Sequence, residues 1–324
     1  MTDRHGRTIK YMRISVTDRC NFRCRYCMPA KLPSIGHEEV LRFEEIIEIC
    51  RLAVSLGITR FKITGGEPLV RKGILSLLDN LKKLPGVEQV TLTTNGLLLK
   101  EILPKLEEIG IDGINISLDT MNPRTFYEIT GRDQFSKVWD SILAAGKTRI
   151  PLKINCVPLK GINDEDFLDL VHLAKDYALD VRFIEIMPIG HGRDYEGISS
   201  GEFLDRISKV YPDYEWSNGY HGNGPASYIT IPGFKGSIGF IDAIHGKFCH
   251  RCNRIRLTAD GFLKPCLYYE EGISLKQMLR EGKDPDSIRI RMQQIIYEKP
   301  SGHQFCSKTG DALKENKNMS QIGG

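Results

Sequence analysis

No stretch of this sequence stays apolar over the roughly 18 residues that a membrane span needs. Net charge is nearly absent as well: 45 Lys and Arg stand against 41 Asp and Glu, a formal +4. Without a basic stripe interleaved with aromatics, a long nucleic acid is not expected as a partner. The apolar fraction of 41% is too high for a disordered chain, and the 31 glycines show no collagen period. No apolar stretch follows the opening MTDRHGRTIK, so no secretory leader is expected and the expected location is cytoplasmic. Nine cysteines in 324 residues are too few for a disulfide scaffold. They are clustered, which in a reducing compartment points to metal or redox chemistry. Two nucleotide motifs are missing. No G-x-G-x-x-G follows a strand, and Gly146-Lys147-Thr148 has Ser141 where a phosphate loop needs glycine.

A βα rhythm fills the first two thirds. Short β-branched runs occupy Met12–Val16, Arg60–Thr64, Val87–Thr93, Gly113–Leu118, Leu152–Val157 and Asp180–Met187. Between them apolar residues recur at helical spacing, as in Phe43, Ile46, Ile47, Cys50 and Val54, or Ile74, Leu77, Leu78 and Leu81. Strands alternating with helices predict a parallel sheet with crossover helices. Six units fall short of the eight of a closed barrel, so the expected fold is α/β, a partial (β/α)6 TIM-like barrel. Its active face lies at the carboxyl ends of the strands. After about residue 195 glycine, proline and tyrosine accumulate and short strands alternate with turns. The expected division is a barrel over residues 1–220 and a smaller α+β module over residues 221–324.

Charge is uneven. Residues 1–31 carry eight Lys and Arg, Arg7 among them, against Asp3 and Asp18, and KFCHRCNRIR at 247–256 carries four basic residues and no acid. A charge run alone reads as a solvated face. Both of these also hold cysteine clusters, which brings an anionic ligand close to a metal into view. Cys20, Cys24 and Cys27 form C-x3-C-x2-C directly after the first strand. Three thiolates can hold one face of an iron–sulfur cube and leave one iron open. Structural zinc is the alternative, although it usually takes four ligands. Cys249, Cys252 and Cys266 form a second set, C-x2-C-x13-C, for which a zinc ribbon with His250 as fourth ligand also stays open.

The first set, with Tyr26 before its last cysteine, is similar to the signature of radical S-adenosylmethionine (SAM) enzymes. Ile63-Thr64-Gly65-Gly66-Glu67-Pro68 resembles their GGEP motif. Adjacent glycines allow a close backbone approach, and Glu67 offers charge to an ammonium group. The stretch FCHRCNRIRLTADGFLKPCL, together with RISVTDRCNFRCRYCMP, TLTTNGLLL, KGINDED, RFIEIM and the final Ile322-Gly323-Gly324, resembles the GTP 3',8-cyclases of molybdenum-cofactor synthesis.

That resemblance implies two 4Fe-4S clusters, one on Cys20, Cys24 and Cys27 that cleaves SAM, and one on Cys249, Cys252 and Cys266 that meets the guanine of GTP. It assigns Tyr26, Gly66, Ser117 and Met187 to SAM. To GTP it assigns Arg13, Lys62, Thr93, Lys153 and the stretch Arg254, Ile255, Arg256. Arg13, Arg254, Arg256, Gly323 and Gly324 carry its catalytic roles. It further implies an electron donor, a downstream cyclic pyranopterin monophosphate synthase, and a monomer or homodimer. Lys62 departs from relatives with Arg there, and loses the bidentate fork.

The residues agree with these assignments on physical grounds. Lys62, Lys153 and Arg13 stand in apolar strands, where a charge is costly unless an anion neutralises it. Arg254 and Arg256 lie two apart and share one face of a strand. Ser117 and Thr93 also read as satisfied core hydroxyls, and Met187 as core packing. Cys50 and Cys156 read as small buried hydrophobes, and Cys306 receives no role. Two rivals are a peptide-modifying radical SAM enzyme with an auxiliary cluster and a zinc-stabilised nucleotide-binding protein.

Overall fold

The β-branched runs become strands because their alternate residues can be buried on opposite faces of one sheet. A computed structural model describes residues 1–28, 35–219, 221–246, 248–305, 315 and 317–323. Six parallel strands, β1 (Tyr11–Ser15), β2 (Arg60–Thr64), β3 (Gln89–Thr94), β4 (Ile114–Ser117), β5 (Leu152–Cys156) and β6 (Asp180–Ile184), pair in sequence order. Helices α1 (Phe43–Ser55), α2 (Ile74–Lys83), α3 (Leu103–Ile109), α4 (Pro123–Thr130), α5 (Phe135–Ala145) and α6 (Phe167–Asp176) connect them. Met12, Ile14, Ile63, Leu92, Ile116, Ile154 and Val181 join the helices in the apolar core. Cys50 on α1 and Cys156 on β5 are buried there too.

Two details differ from the sequence reading. Helix α4 is unforeseen: it rests on local signals, with the Asn122 side chain accepting from the N–H groups of Arg124 and Thr125, Pro123 in the first turn and left-handed Gly131 at its end. Strand β6 stops at Ile184, so Met187 lies in the loop beyond it. Pro188 has no N–H to extend a ladder, and the Ile189 N–H closes back on the Met187 carbonyl at 2.7 Å.

The remaining elements are α7 (Ser200–Val210), β7 (Glu215–Trp216), β8 (Ser227–Thr230), β9 (Ile238–Ile241), β10 (Arg254–Leu257), β11 (Phe262–Lys264), β12 (Ile273–Ser274), α8 (Leu275–Arg280), α9 (Pro285–Tyr297) and α10 (Met319–Ile322). They enlarge the same sheet. Strand β10 pairs in parallel with β1, and β9 in parallel with β6, giving the order β12-β11-β10-β1-β2-β3-β4-β5-β6-β9-β8-β7. The parallel run is therefore eight strands, two more than the βα rhythm announces. Antiparallel β11 and β8 flank it, and the barrel stays open. Both outermost strands, β12 and β7, are two residues long, which limits pairing with another sheet edge.

Ile63 is fully buried in the centre of this sheet. Ile63→Ala is expected to cost about 2–5 kcal/mol of folding free energy. Urea denaturation measures it, and a loss below about 1 kcal/mol contradicts the packing described.

Candidate active site

The first cysteine triplet follows β1 in a loop held from three sides. Cys27 and Met28 turn their N–H groups back onto the Cys24 carbonyl, both at 2.9 Å, which folds the segment around one centre. The N–H groups of Arg23 and Arg25 bond to the carbonyls of Thr130 and Ile129 at the end of α4, at 2.9 and 3.0 Å. The Tyr26 hydroxyl donates to Asp119 at 2.9 Å, and Asp119 also accepts from the Val157 N–H at 2.9 Å. Asn95 donates to the Asn21 side chain at 2.6 Å and stands 3.8 Å from the Cys20 sulfur. Burial pushes the Cys27 thiol up to about 12, and mutual charge adds to burial at Cys24. Three thiolates are stable here only beside a strong positive centre. Among the described residues no three Cys, His, Asp or Glu side chains converge to hold a single metal ion. The three thiols nonetheless border one cavity, and a set of three thiolates suits an iron–sulfur cube better than a structural zinc, which usually takes four ligands.

The Gly-Gly-Glu turn after β2 departs from the sequence expectation. A Cβ on Gly65 would stand 2.6 Å from the Thr17 carbonyl, and one on Gly66 2.4 Å from that of Arg19. The glycines thus admit the backbone that leads into the cysteine loop, while Gly66 also lines the cavity. Glu67 does not offer its charge to a ligand. Its carboxylate accepts from the N–H groups of Leu69 and Asn95 and from the Thr94 hydroxyl, at 3.0, 2.6 and 2.7 Å, and ties β2 to β3. Burial lifts it to about 7 against the pull of those bonds.

The second triplet borders the same cavity from the β10–β11 side. Cys249 and Cys252 precede β10 and Cys266 follows β11, so this set is not at the carboxyl ends of the parallel strands. Burial raises the Cys249 thiol. At Cys252, which is half-buried, Lys299 and Arg254 outweigh the desolvation and bring the thiol down to about 6. Arg254 and Arg256 line the cavity, whereas Ile255 between them is fully buried in the core opposite Met12. Any contact from Ile255 to a ligand must come from its backbone. Arg256 donates to the Gly323 carbonyl at 2.7 Å, and left-handed Gly323 (φ 74) packs so closely that a Cβ would lie 3.0 Å from that of Ser15. Gly324 and Cys306 lie outside the described residues.

Tyr26, Ser117, Met187, Thr93 and Arg13 line this cavity, of ≈ 300 Å³, with Gly66. Lys62 and Lys153 line a second, of ≈ 420 Å³, toward the amino ends of the strands. Both volumes suit small-molecule ligands. The hydrogen bonds from Asn115 to Thr93 (3.2 Å) and from Arg182 to Asn155 (2.9 Å) stand between the two spaces. Lys153 already has an anion: Asp180 at 2.6 Å, with the His221 carbonyl also accepting at 2.6 Å. Among the described residues no carboxylate pairs with Lys62. Burial pushes its ammonium well down, and Arg182, Arg13, Lys153 and Arg254 push further. Burial and neighbouring cations depress Arg13 and Arg256 in the same way. Arg182, a buried cation on β6, is missed by the sequence reading; its signal in VRFI is the one that marks Lys62 in FKIT.

Comparisons with known proteins fit this arrangement. Residues 14–174 match the Radical SAM superfamily and residues 179–305 match Molybdenum Cofactor Synthesis C. The GTP 3',8-cyclase of Clostridium perfringens is 42% identical over 325 residues, covering 100% of each chain. That of Moorella thermoacetica is 44% identical over 332 residues, again covering 100% of each. Among solved structures, Streptococcus suis SuiB bound to S-adenosylmethionine superposes with a TM-score of 0.63 at 14% identity, over 87% of this chain and 68% of that one. Native anSMEcpe with bound AdoMet gives 0.54 at 16% identity, over 94% and 93%. At such identities these two structures speak for the fold alone.

Glu67 generates a pH prediction. Its folded pKa lies above the usual 4.5, so the folded state holds the proton longer and stability falls as pH rises from about 4.5 to about 7. The slope is at most about 1.4 kcal/mol per pH unit. Urea denaturation of the cluster-free chain at pH 5 and pH 7 is expected to show a larger loss for wild type than for Glu67→Gln. Equal losses contradict the assignment.

Proposed function

The chain belongs to the GTP 3',8-cyclase family of radical SAM enzymes, and we propose that its two cysteine triplets hold two 4Fe-4S clusters that share one cavity between SAM and GTP. The enzyme converts GTP, with SAM and an electron donor, into (8S)-3',8-cyclo-7,8-dihydroguanosine 5'-triphosphate, 5'-deoxyadenosine and methionine. This is the first step of molybdopterin biosynthesis. The observation that carries the division of labour is the opening of both triplets onto the same space.

Cys20, Cys24 and Cys27 hold the first cluster, and Cys249, Cys252 and Cys266 the second. When bound, the first cluster and SAM supply the 5'-deoxyadenosyl radical that takes the 3' hydrogen of GTP. The protein binds, orients and shields. Tyr26, fixed by Asp119, together with Gly66, Ser117 and Met187, forms the SAM site. The purine lies toward the second triplet. Arg13, Thr93, Lys62 and Lys153, with Arg182 added, receive the triphosphate: burial and neighbouring cations disfavour the charged forms of Arg13 and Lys62, which a polyanion relieves, while Lys153 shares its charge with Asp180. Arg254 and Arg256 act beside the substrate as fixed cations, and the Gly323 carbonyl aims Arg256. Holding the reacting carbon close to the radical source prevents quenching by other neighbours.

The barrel over residues 1–220 carries the first cluster and the module over 221–324 the second. Among the described residues no helix is long and apolar enough to cross a membrane. The family reading is of a cytoplasmic enzyme acting as monomer or homodimer. Its reactive product passes to a cyclic pyranopterin monophosphate synthase.

Anaerobic incubation with GTP, SAM and a strong reductant, followed by mass analysis of the product, tests the reaction. Cys266→Ser is expected to lower iron from about eight to about four per chain and cyclised product by about 100-fold or more, while SAM cleavage persists. Survival of both activities with full iron sinks the second cluster. Arg182→Met is expected to raise KM for GTP about 10–100-fold, with a smaller change in kcat, because charge-assisted bonds of about 1.5–3 kcal/mol are lost. Steady-state kinetics at saturating SAM decides this, and an unchanged KM removes Arg182 from the site.

A further inference from the structure

Arg7 belongs to the basic amino-terminal run, where a charge reads as solvated. The structure buries it, at 7% exposure, and uses all five of its N–H donors. Nε donates to Asp3 at 2.6 Å. One terminal nitrogen donates to the carbonyls of Cys249 and Ser301 at 2.9 and 3.0 Å, the other to those of Lys299 and Pro300 at 3.2 and 2.6 Å. Asp3, itself buried, also accepts the N–H groups of His5 and Arg7 at 2.9 and 3.0 Å. Taking such a pair out of water is costly, and only this complete satisfaction offsets it. A lysine has one nitrogen and cannot span four carbonyls and a carboxylate.

The carbonyls that Arg7 gathers belong to Cys249 and to the turn beside it. Cys249 is a member of the second triplet. The 299–302 turn follows α9 and lies against Cys249, since a Cβ on Gly302 would stand 3.3 Å from that of Cys249. Lys299 is 2% exposed, and its ammonium donates to the carbonyl of Pro265, the neighbour of Cys266. The Tyr269 hydroxyl donates to the Gly302 carbonyl at 3.2 Å, closing the turn against the segment after Cys266. The first triplet is anchored separately, on α4.

We propose that Arg7 is a positioning residue of the second cysteine triplet: it fastens Cys249 to the 299–301 turn and thereby sets Lys299 against the Cys266 segment. The second iron–sulfur site is thus assembled in part by the first seven residues. This rests on the reading of Cys249, Cys252 and Cys266 as cluster ligands.

The experiment compares full-length wild type, Arg7→Ala and Arg7→Lys after anaerobic reconstitution, by iron and sulfide content, by electron paramagnetic resonance with and without SAM, and by the rate of iron loss to a chelator. Wild type is expected to hold about eight irons per chain, and Arg7→Ala about four with the SAM-sensitive signal intact. Arg7→Lys keeps the Asp3 pair but loses the fork, and its second cluster is expected to bleach about 10-fold faster. If Arg7→Ala keeps full iron and the wild-type rate, the proposal is overturned. Parallel loss of both clusters in both variants overturns it too, since Arg7 then serves the whole fold. A wild type with about four irons removes the second-cluster reading itself, a failure distinct from that of Arg7.

Discussion

A cluster of positive charge inside the barrel is the constraint on which the rest of the interior depends. Burial and then the charge of neighbouring cations disfavour the charged forms of Arg13, Lys62 and Arg256, and Asp180 lies beside Lys153. A fold tolerates such a group only if the rest of the sheet is secure, and Met12, Ile14, Ile63, Leu92, Ile116, Ile154 and Val181 hold its strands in the apolar core. Under the proposed reading, a bound polyphosphate relieves that repulsion. Under that reading, stability and substrate choice depend on the same side chains.

Strands β9 and β10 extend this logic. By joining the barrel edges in parallel they make the later part of the chain continuous with the barrel instead of an appendage. The pairing of Arg13 with Arg256 in the β1–β10 register brings residues 243 positions apart side by side. It also sets the loop before β10, with its thiols, on the wall of the cavity that the loop after β1 covers.

Much of this is legible in the sequence, and the exceptions have physical causes. The strands β1 to β6 are marked by β-branched runs, and the two triplets by spacing. Strands β9 and β10 enter through antiparallel neighbours, so no crossover helix announces them. Arg182 carries the signal that Lys62 carries, but within a longer polar-flanked segment. Glu67 misleads because local sequence shows a carboxylate beside glycines and not the three donors that surround it in space. Arg7 is hidden for the same reason: its partners near residues 249 and 300 are distant in the chain.

The deep placement of Cys50 and Cys156 bears on maturation. Both thiols are fully desolvated, which keeps them protonated and inert. A protein delivering iron and sulfide therefore meets no decoy at either of them. Among the described cysteines, the six that border the cavity are the partly exposed ones, so under the proposed two-cluster reading burial favours loading at these six over Cys50 and Cys156.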